Sequence, residues 1–262
     1  MLLAIDIGNS NVVWGLFEEE RLTGPWRMTT EPSKTADGYA ELFAQRFKDA
    51  GIPHEHVTDV VLCSVVPALT PVFEQIANTT FRRQPLIVSS DLDAGLTIRY
   101  VNPRELGTDR LANAAAAYER YKTALIVVDC GTATTFSVVT RTGDYLGGAI
   151  APGFETAAEA LFSRTAQLPR VEFVRPPRVI GRDTTSSIQS GLVYGYAGMI
   201  DAMLSRMQEE LGEQPLVIAT GGLAPLLAPE CRTVMEVRPN LTLEGLHCLY
   251  RRAKKTVVRP ST

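Results

Sequence analysis

Residues 2–17 read LLAIDIGNSNVVWGLF, and residues 125–139 read LIVVDCGTATTFSVV. Each is an apolar run, an aspartate, one residue, a glycine, a short polar stretch and a second apolar run. Aligned on the aspartates, Asp6 matches Asp129, Gly8 matches Gly131, Asn9 matches Thr132 and Asn11 matches Thr134. Such runs around a glycine read as two strands joined by a tight turn. A strand–turn–strand unit opening each half predicts a duplication: two similar α/β domains, residues 1–120 and 121–262, facing each other. An acid at the end of a buried strand, followed by a glycine turn, brings backbone N–H groups toward an anion. Glycine leaves room for a phosphate, and the carboxylate can hold Mg²⁺ directly or through water. One copy alone would pass for an ordinary polar hairpin. Two copies predict a phosphate clamp, one loop from each domain.

Outward from these units, strands alternate with helices, which argues for mixed α/β sheets. In the first half, Trp26-Arg27-Met28 reads as strand or turn, and a helix runs from about Gly38 to Ala50 before Gly51-Ile52-Pro53. Residues 60–66 are continuously apolar, as in a strand buried on both faces. Pro71 suits the first turn of the next helix, and residues 85–88 form a short strand. Residues 91–110 are loop-rich. Thr108 is placed to cap a helix reaching about Tyr121, whose Ala112, Ala114, Ala115, Ala116 and Ala117 allow close packing where two halves, or two subunits, meet. In the second half, Gly143-Asp144 is a turn, 154–161 a helix and 169–184 a Pro- and Arg-rich loop. Thr185 or Ser187 caps a long helix to about Leu211, and the strand 216–219 ends at Thr220-Gly221-Gly222.

Composition excludes several function classes. Hydrophobic residues make up 45% and charged residues 21% of 262, as in an ordinary globular protein. A net charge of −3 offers no global attraction to nucleic acid or to an anionic membrane. The four cysteines form no CxxC pair and read as reduced thiols. No apolar run approaches a membrane span, and the start lacks a signal-peptide pattern, so a soluble cytoplasmic protein is expected. His54 and His56 are too few for a metal site, and with His247 they give little material for a His-based triad.

The motifs Asp6 to Asn11, Tyr100, Gly107-Thr108-Asp109-Arg110, Asp129 to Thr134, Gly147 to Gly153 and Thr220-Gly221-Gly222 occur in this order along almost the whole chain. Together they resemble the superfamily of acetate kinases, sugar kinases, Hsp70 and actin, and within it the type III pantothenate kinases. The resemblance implies two duplicated ribonuclease H-like (actin-like ATPase) domains with a central cleft. It implies ATP-dependent phosphorylation of pantothenate to 4′-phosphopantothenate, the first step of coenzyme A biosynthesis. Asp109 becomes the acceptor of the hydroxyl proton. Asp6, Ile7, Gly8, Asn9, Ser10, Asn11, Val12, Val13, Thr132, Gly221 and Gly222 become the ATP site, with Asp6 a candidate for Mg²⁺. Tyr100, Gly107, Thr108, Asp109, Arg110 and Thr184 become the pantothenate site. Asp129 becomes the site of a monovalent cation, K⁺ or NH4⁺, offsetting phosphate charge in loops that hold no Lys or Arg. The family also implies a homodimer. The rival readings are a kinase of another small alcohol on the same fold, a regulatory accessory factor for transcription, and an actin-like structural protein.

Overall fold

The computed structural model describes residues 1–258. Strands β1 (Leu2–Ile7), β2 (Asn11–Glu18) and β3 (Arg21–Thr29) form a meander, followed by α1 (Ala36–Asp49), β4 (Asp59–Ser64), α2 (Thr70–Thr79) and β5 (Leu86–Ile87). The two-residue β6 (Thr97–Ile98) precedes α3 (Thr108–Tyr121). A second meander, β7 (Leu125–Cys130), β8 (Ala133–Val139) and β9 (Asp144–Pro152), leads to α4 (Phe154–Ser163) and α5 (Thr184–Leu211). The chain closes with β10 (Leu216–Thr220), α6 (Ala224–Leu227), β11 (Glu236–Val237) and α7 (Leu241–Val258).

The duplication extends to the topology. One sheet runs β3-β2-β1-β4-β5, and the other contains β9-β8-β7-β10-β11 in the matching order, with β6 added at the β9 edge. β1 pairs antiparallel with β2 and parallel with β4, as β7 does with β8 and β10. In both β1 and β7 every residue is buried except the aspartate, the next to last. A strand buried on both faces has one polar residue it can afford near its end, where the sheet stops covering it.

The chain divides into two compact units. The first comprises Met1–Gly95, Val101–Glu119 and the chain from Leu241; the second comprises Leu96–Tyr100 and Arg120–Asn240. This differs from a simple split after residue 120. Thr97 and Ile98 pair parallel with Asp144 and Tyr145, which draws Leu96–Tyr100 into the second unit. α7, which residue patterning did not flag, belongs to the first. A Cβ at Gly245 would run into the Ala112 carbonyl, so the missing side chain lets α7 lie directly on α3. The Thr242 hydroxyl also donates to Asn113 Oδ1 at 2.9 Å. Ala112, Ala114, Ala115 and Ala117 are at most 1% exposed. These alanines are therefore consumed inside the chain and do not supply a surface for a second subunit.

Each unit is held by its own core. In the first, Tyr39, Phe43 and Phe47 recur at four-residue spacing on one face of α1 and meet Trp14, Phe73 and Phe81. Trp26 packs on Trp14 from β3, its ring tilted by 34° with centroids 4.4 Å apart. Each fully buried Phe stabilises by roughly 1.5–3 kcal/mol relative to exposure. The second core packs β7, β8 and β10 against α4 and α5 through Val128, Phe136, Phe154, Ile188 and Leu192. Residues 144–152, expected only as a turn and its exit, form the third strand β9. Among the described residues no helix is long and apolar enough to cross a membrane.

α5 starts earlier than expected, and its cap is Asp183 instead of Thr185 or Ser187. Asp183 Oδ1 accepts from the Ser186 amide at 2.8 Å, and Ser186 Oγ accepts from the Asp183 amide at 3.3 Å. The bond from the Ser186 backbone, and then the Ser186 side chain, hold the Asp183 carboxyl below its ordinary range. A lowered carboxyl stabilises the fold above the ordinary pKa of about 3.9 and stops doing so as pH falls below it. Asp183→Ala is therefore expected to lower the Tm by a few degrees at neutral pH. The difference from wild type should close below about pH 4, as thermal scans across pH will show.

Candidate functional site

In the first unit, Asp6 lies in β1 between Val13 of β2 and Cys63 of β4. The following turn closes through Gly8 N–H donating to the Asn11 carbonyl at 3.0 Å. A Cβ at Gly8 would stand 3.0 Å from that same oxygen, so any larger residue would press on the bond that closes the turn. Asn9 and Ser10 are exposed at its tip. Ile7 and Val12 are fully buried in the core, which leaves only their backbone to meet a ligand.

Two side chains that the patterning missed attend this loop, and a backbone carbonyl beside it holds the next helix. The buried Cys63 thiol donates to Asp6 Oδ1 at 3.2 Å. Burial, and then the charges of Asp6 and Asp109, push the Cys63 thiol well above its usual range, so it stays a neutral donor. Thr30, just beyond β3, donates its hydroxyl to the Gly8 carbonyl at 2.7 Å and its amide to the Ser10 carbonyl at 3.1 Å. Ser64, which ends β4, receives the Thr108 hydroxyl on its carbonyl at 3.4 Å, which ties the start of α3 to this sheet.

Asp109 stands in the first turn of α3, half-buried, with Oδ1 accepting from the Arg110 amide at 2.8 Å. Burial pushes its carboxyl above the ordinary value, against the opposing pull of that amide and of the Arg110 charge. A Cβ at residue 107 would lie 2.6 Å from Asp109 Oδ1, so Gly107 vacates the space its carboxylate occupies. Arg110 is 5% exposed. Asp6, Cys63 and Asp109 thus gather in one electrostatic neighbourhood of this unit.

The second unit repeats the plan with different details. Asp129 lies in β7 opposite Thr220 of β10, and Gly131 N–H closes the turn on the Ala133 carbonyl at 3.1 Å. Gly221 has φ +89°, and a Cβ there would come within 2.5 Å of Asp129 Oδ1. The Thr132 carbonyl accepts from the Gly153 amide at 3.1 Å and from the Thr156 hydroxyl at 2.7 Å. Gly222 is exposed beyond β10. Tyr100 is carried onto this unit by β6. A Cβ at Gly147, whose φ is +131°, would meet its ring at 3.4 Å. Thr184 is the first residue of α5 and lines an open cavity of about 830 Å³ with Leu161, Leu168, Arg182, Ile188 and Leu192.

Among the described residues no three His, Cys, Asp or Glu side chains form a metal cluster. His54 and His56 are exposed, with His54 beside Glu55. A single strand-end carboxylate such as Asp6 suits a hard cation that keeps its waters and shares phosphate oxygens, as Mg²⁺ does, better than an all-protein cage.

Residues 2–206 match the family model of type III pantothenate kinase. The type III pantothenate kinase of Citrifermentans bemidjiense is 50% identical over 254 residues, covering 97% of this chain and 100% of the relative. That of Anaeromyxobacter sp. (strain Fw109-5) is 51% identical over 252 residues, covering 96% and 99%. Among solved structures, ROK hexokinase from Thermus thermophilus superposes with a TM-score of 0.52 at 15% identity, covering 97% of this chain and 99% of that one. A Baf family transcriptional activator from Campylobacter jejuni does so with a TM-score of 0.60 at 19% identity, covering 97% and 99%. At such identities these likenesses speak for the fold alone, that of two ribonuclease H-like domains. The family match over most of the chain, joined to full-length relatives at about half identity, places this chain in the type III pantothenate kinase family of phosphotransferases.

Proposed function

We propose that the chain transfers the γ-phosphoryl group of ATP to the hydroxyl of pantothenate, giving ADP and 4′-phosphopantothenate. The supporting observation is Asp109: a half-buried carboxylate with a raised pKa, in the same unit as the Asp6 turn and seated by Gly107. A base whose pKa has moved toward working pH accepts a proton more effectively. As the hydroxyl oxygen bonds to the γ-phosphorus and the bond to the ADP oxygen breaks, the hydroxyl proton passes to Asp109. Asp6 would hold Mg²⁺, which neutralises developing phosphate charge when bound. The two aspartate turns, with Thr132 and the Gly221-Gly222 corner, serve ATP. Asp129 serves K⁺ or NH4⁺. Tyr100, Arg110 and Thr184 hold pantothenate, Arg110 by a cationic fork suited to its carboxylate. The enzyme works in the cytoplasm as a homodimer whose surface is not the alanine face of α3.

An assay of ADP release with and without pantothenate, and with other small alcohols, tests the reading. Pantothenate-dependent turnover is expected. ATP binding without turnover of any alcohol would favour a regulatory protein, and equal turnover of several alcohols a less selective kinase.

Gly147 gives this reading a local check. Alanine there sits at a φ of +131° that an L-residue rarely adopts, at a cost of about 1–3 kcal/mol, and relieving that strain shifts the strand under the Tyr100 ring, which its Cβ would touch. Gly147→Ala should raise KM for pantothenate about tenfold while leaving KM for ATP nearly unchanged, as expected when only one substrate's binding contacts shift. Steady-state kinetics varying each substrate separates the two.

A further inference from the structure

Both aspartate turns carry the same brace. In each, a backbone amide from beyond the third strand of the meander donates to a turn carbonyl at 3.1 Å: Thr30 to Ser10, and Gly153 to Thr132. In each, a threonine hydroxyl from the same region donates to a turn carbonyl at 2.7 Å: Thr30 to Gly8, and Thr156 to Thr132. The two threonines do not occupy equivalent positions. Thr30 follows β3 directly and is nearly buried, whereas Thr156 belongs to the first turn of α4 and is exposed. The same contact is therefore built by different local routes, as expected if it serves something common to both turns.

We infer that Thr30 and Thr156 are positioning residues that lock the peptide planes of the two ATP turns. In a trans peptide the C=O of one residue and the N–H of the next point opposite ways. Tying the Gly8 carbonyl back to Thr30 aims the Asn9 amide away from the brace. Tying the Thr132 carbonyl to Thr156 does the same for the Ala133 amide. In the first turn the tied plane follows Gly8, whose backbone freedom permits it to flip; in the second it joins Thr132 to Ala133 at the exposed end of the hairpin, where without the ties only the local turn holds it. A phosphate gains from donors already aimed at it, because no ordering is then needed on binding.

This inference rests on the reading that the turns bind ATP, and the experiment separates the two. The variants are Thr30→Val, Thr156→Val, the matching serine variants, and Gly8→Val, which obstructs the first turn itself. Affinity for a non-hydrolysable ATP analogue is measured by calorimetry, with Tm and pantothenate KM on the same preparations. Each valine should weaken the analogue about 5–10-fold, the scale of one lost hydrogen bond. Serine should restore most of the loss, and KM for pantothenate should hold. Thr30→Val should also lower the Tm, because its hydroxyl is the more buried. Unchanged analogue affinity in folded valine variants, beside a weakened Gly8→Val, overturns the inference alone. Unchanged affinity in Gly8→Val as well overturns the ATP reading of the turn. Should Thr30→Val fail to fold, the exposed Thr156 decides by itself.

Discussion

Asp109→Asn lowers kcat by about 10²–10⁴-fold, the usual contribution of a positioned base. Asparagine keeps an oxygen to accept the Arg110 amide, the bond Asp109 makes at 2.8 Å, so the start of α3 retains its shape. ATP affinity should change little. Phosphoryl transfer is often loose with late proton movement, so part of the loss reflects orientation of the hydroxyl. In the wild type, kcat should fall as pH drops through the raised Asp109 pKa, and Asp109→Asn should lack that acid limb. Stability moves the other way. A carboxyl whose folded pKa is raised stabilises the fold fully only below its unfolded pKa, and that contribution is lost as pH rises through the folded one. At neutral pH the ionised Asp109 is thus a cost that asparagine removes, and the variant's Tm should match or exceed the wild type's. A residue that merely favoured the helix N-terminus would show the reverse: a lower Tm with kcat intact. Tm and kcat on one preparation, across pH, decide between the two.

Turnover in K⁺ or NH4⁺ should exceed turnover in Na⁺ at equal ionic strength, and Asp129→Ala should abolish that difference. The expected loss in K⁺ is on the order of 10²-fold, typical of removing one preorganised electrostatic contact at a transferring phosphoryl group. The reason is the charge inventory: neither aspartate turn contains Lys or Arg, which leaves phosphate charge there for the cation proposed at Asp129 to offset. Gly221→Ala should reproduce the loss of the salt response, because its Cβ would come within 2.5 Å of Asp129 Oδ1 and displace the carboxylate. It should also lower the Tm, since the Cys130 backbone lies within 2.7 Å of the same position and φ is +89°. Wild-type rates identical in all three salts would remove Asp129 from the cation site.

What residue order determined is what depends on local pattern. The repeated apolar–Asp–x–Gly–apolar unit specified two strand–turn–strand units, because period and turn chemistry act within a few residues. The matching strand orders of the two sheets follow from that duplication. The same locality made α1, α2 and α3 legible, through the Gly51-Ile52-Pro53 stop, Pro71 in a first turn and an alanine run; that α1 starts at Ala36, capped by Thr35, only the structure shows. It also marked the carboxylates, since a polar residue in an otherwise buried strand stands out.

Tertiary structure decided what depends on contacts between distant residues. α7 carries two adjacent basic pairs, and its place became clear only from the bare Gly245 lying on Ala112 and from His247 stacked on Phe17. β6 is two residues long and exists because β9 offers it an edge. That pairing moves Tyr100 into the second unit. Cys63, Thr30 and Thr156 carry no local signal of function. A thiol 57 residues from Asp6, and a hydroxyl 22 residues from Gly8, become partners only when parallel and antiparallel neighbours bring their strands together. Sequence spacing sees period and turns; the hydrogen bonds that aim a carboxylate or a peptide plane are made across strands, and only the folded sheet fixes them.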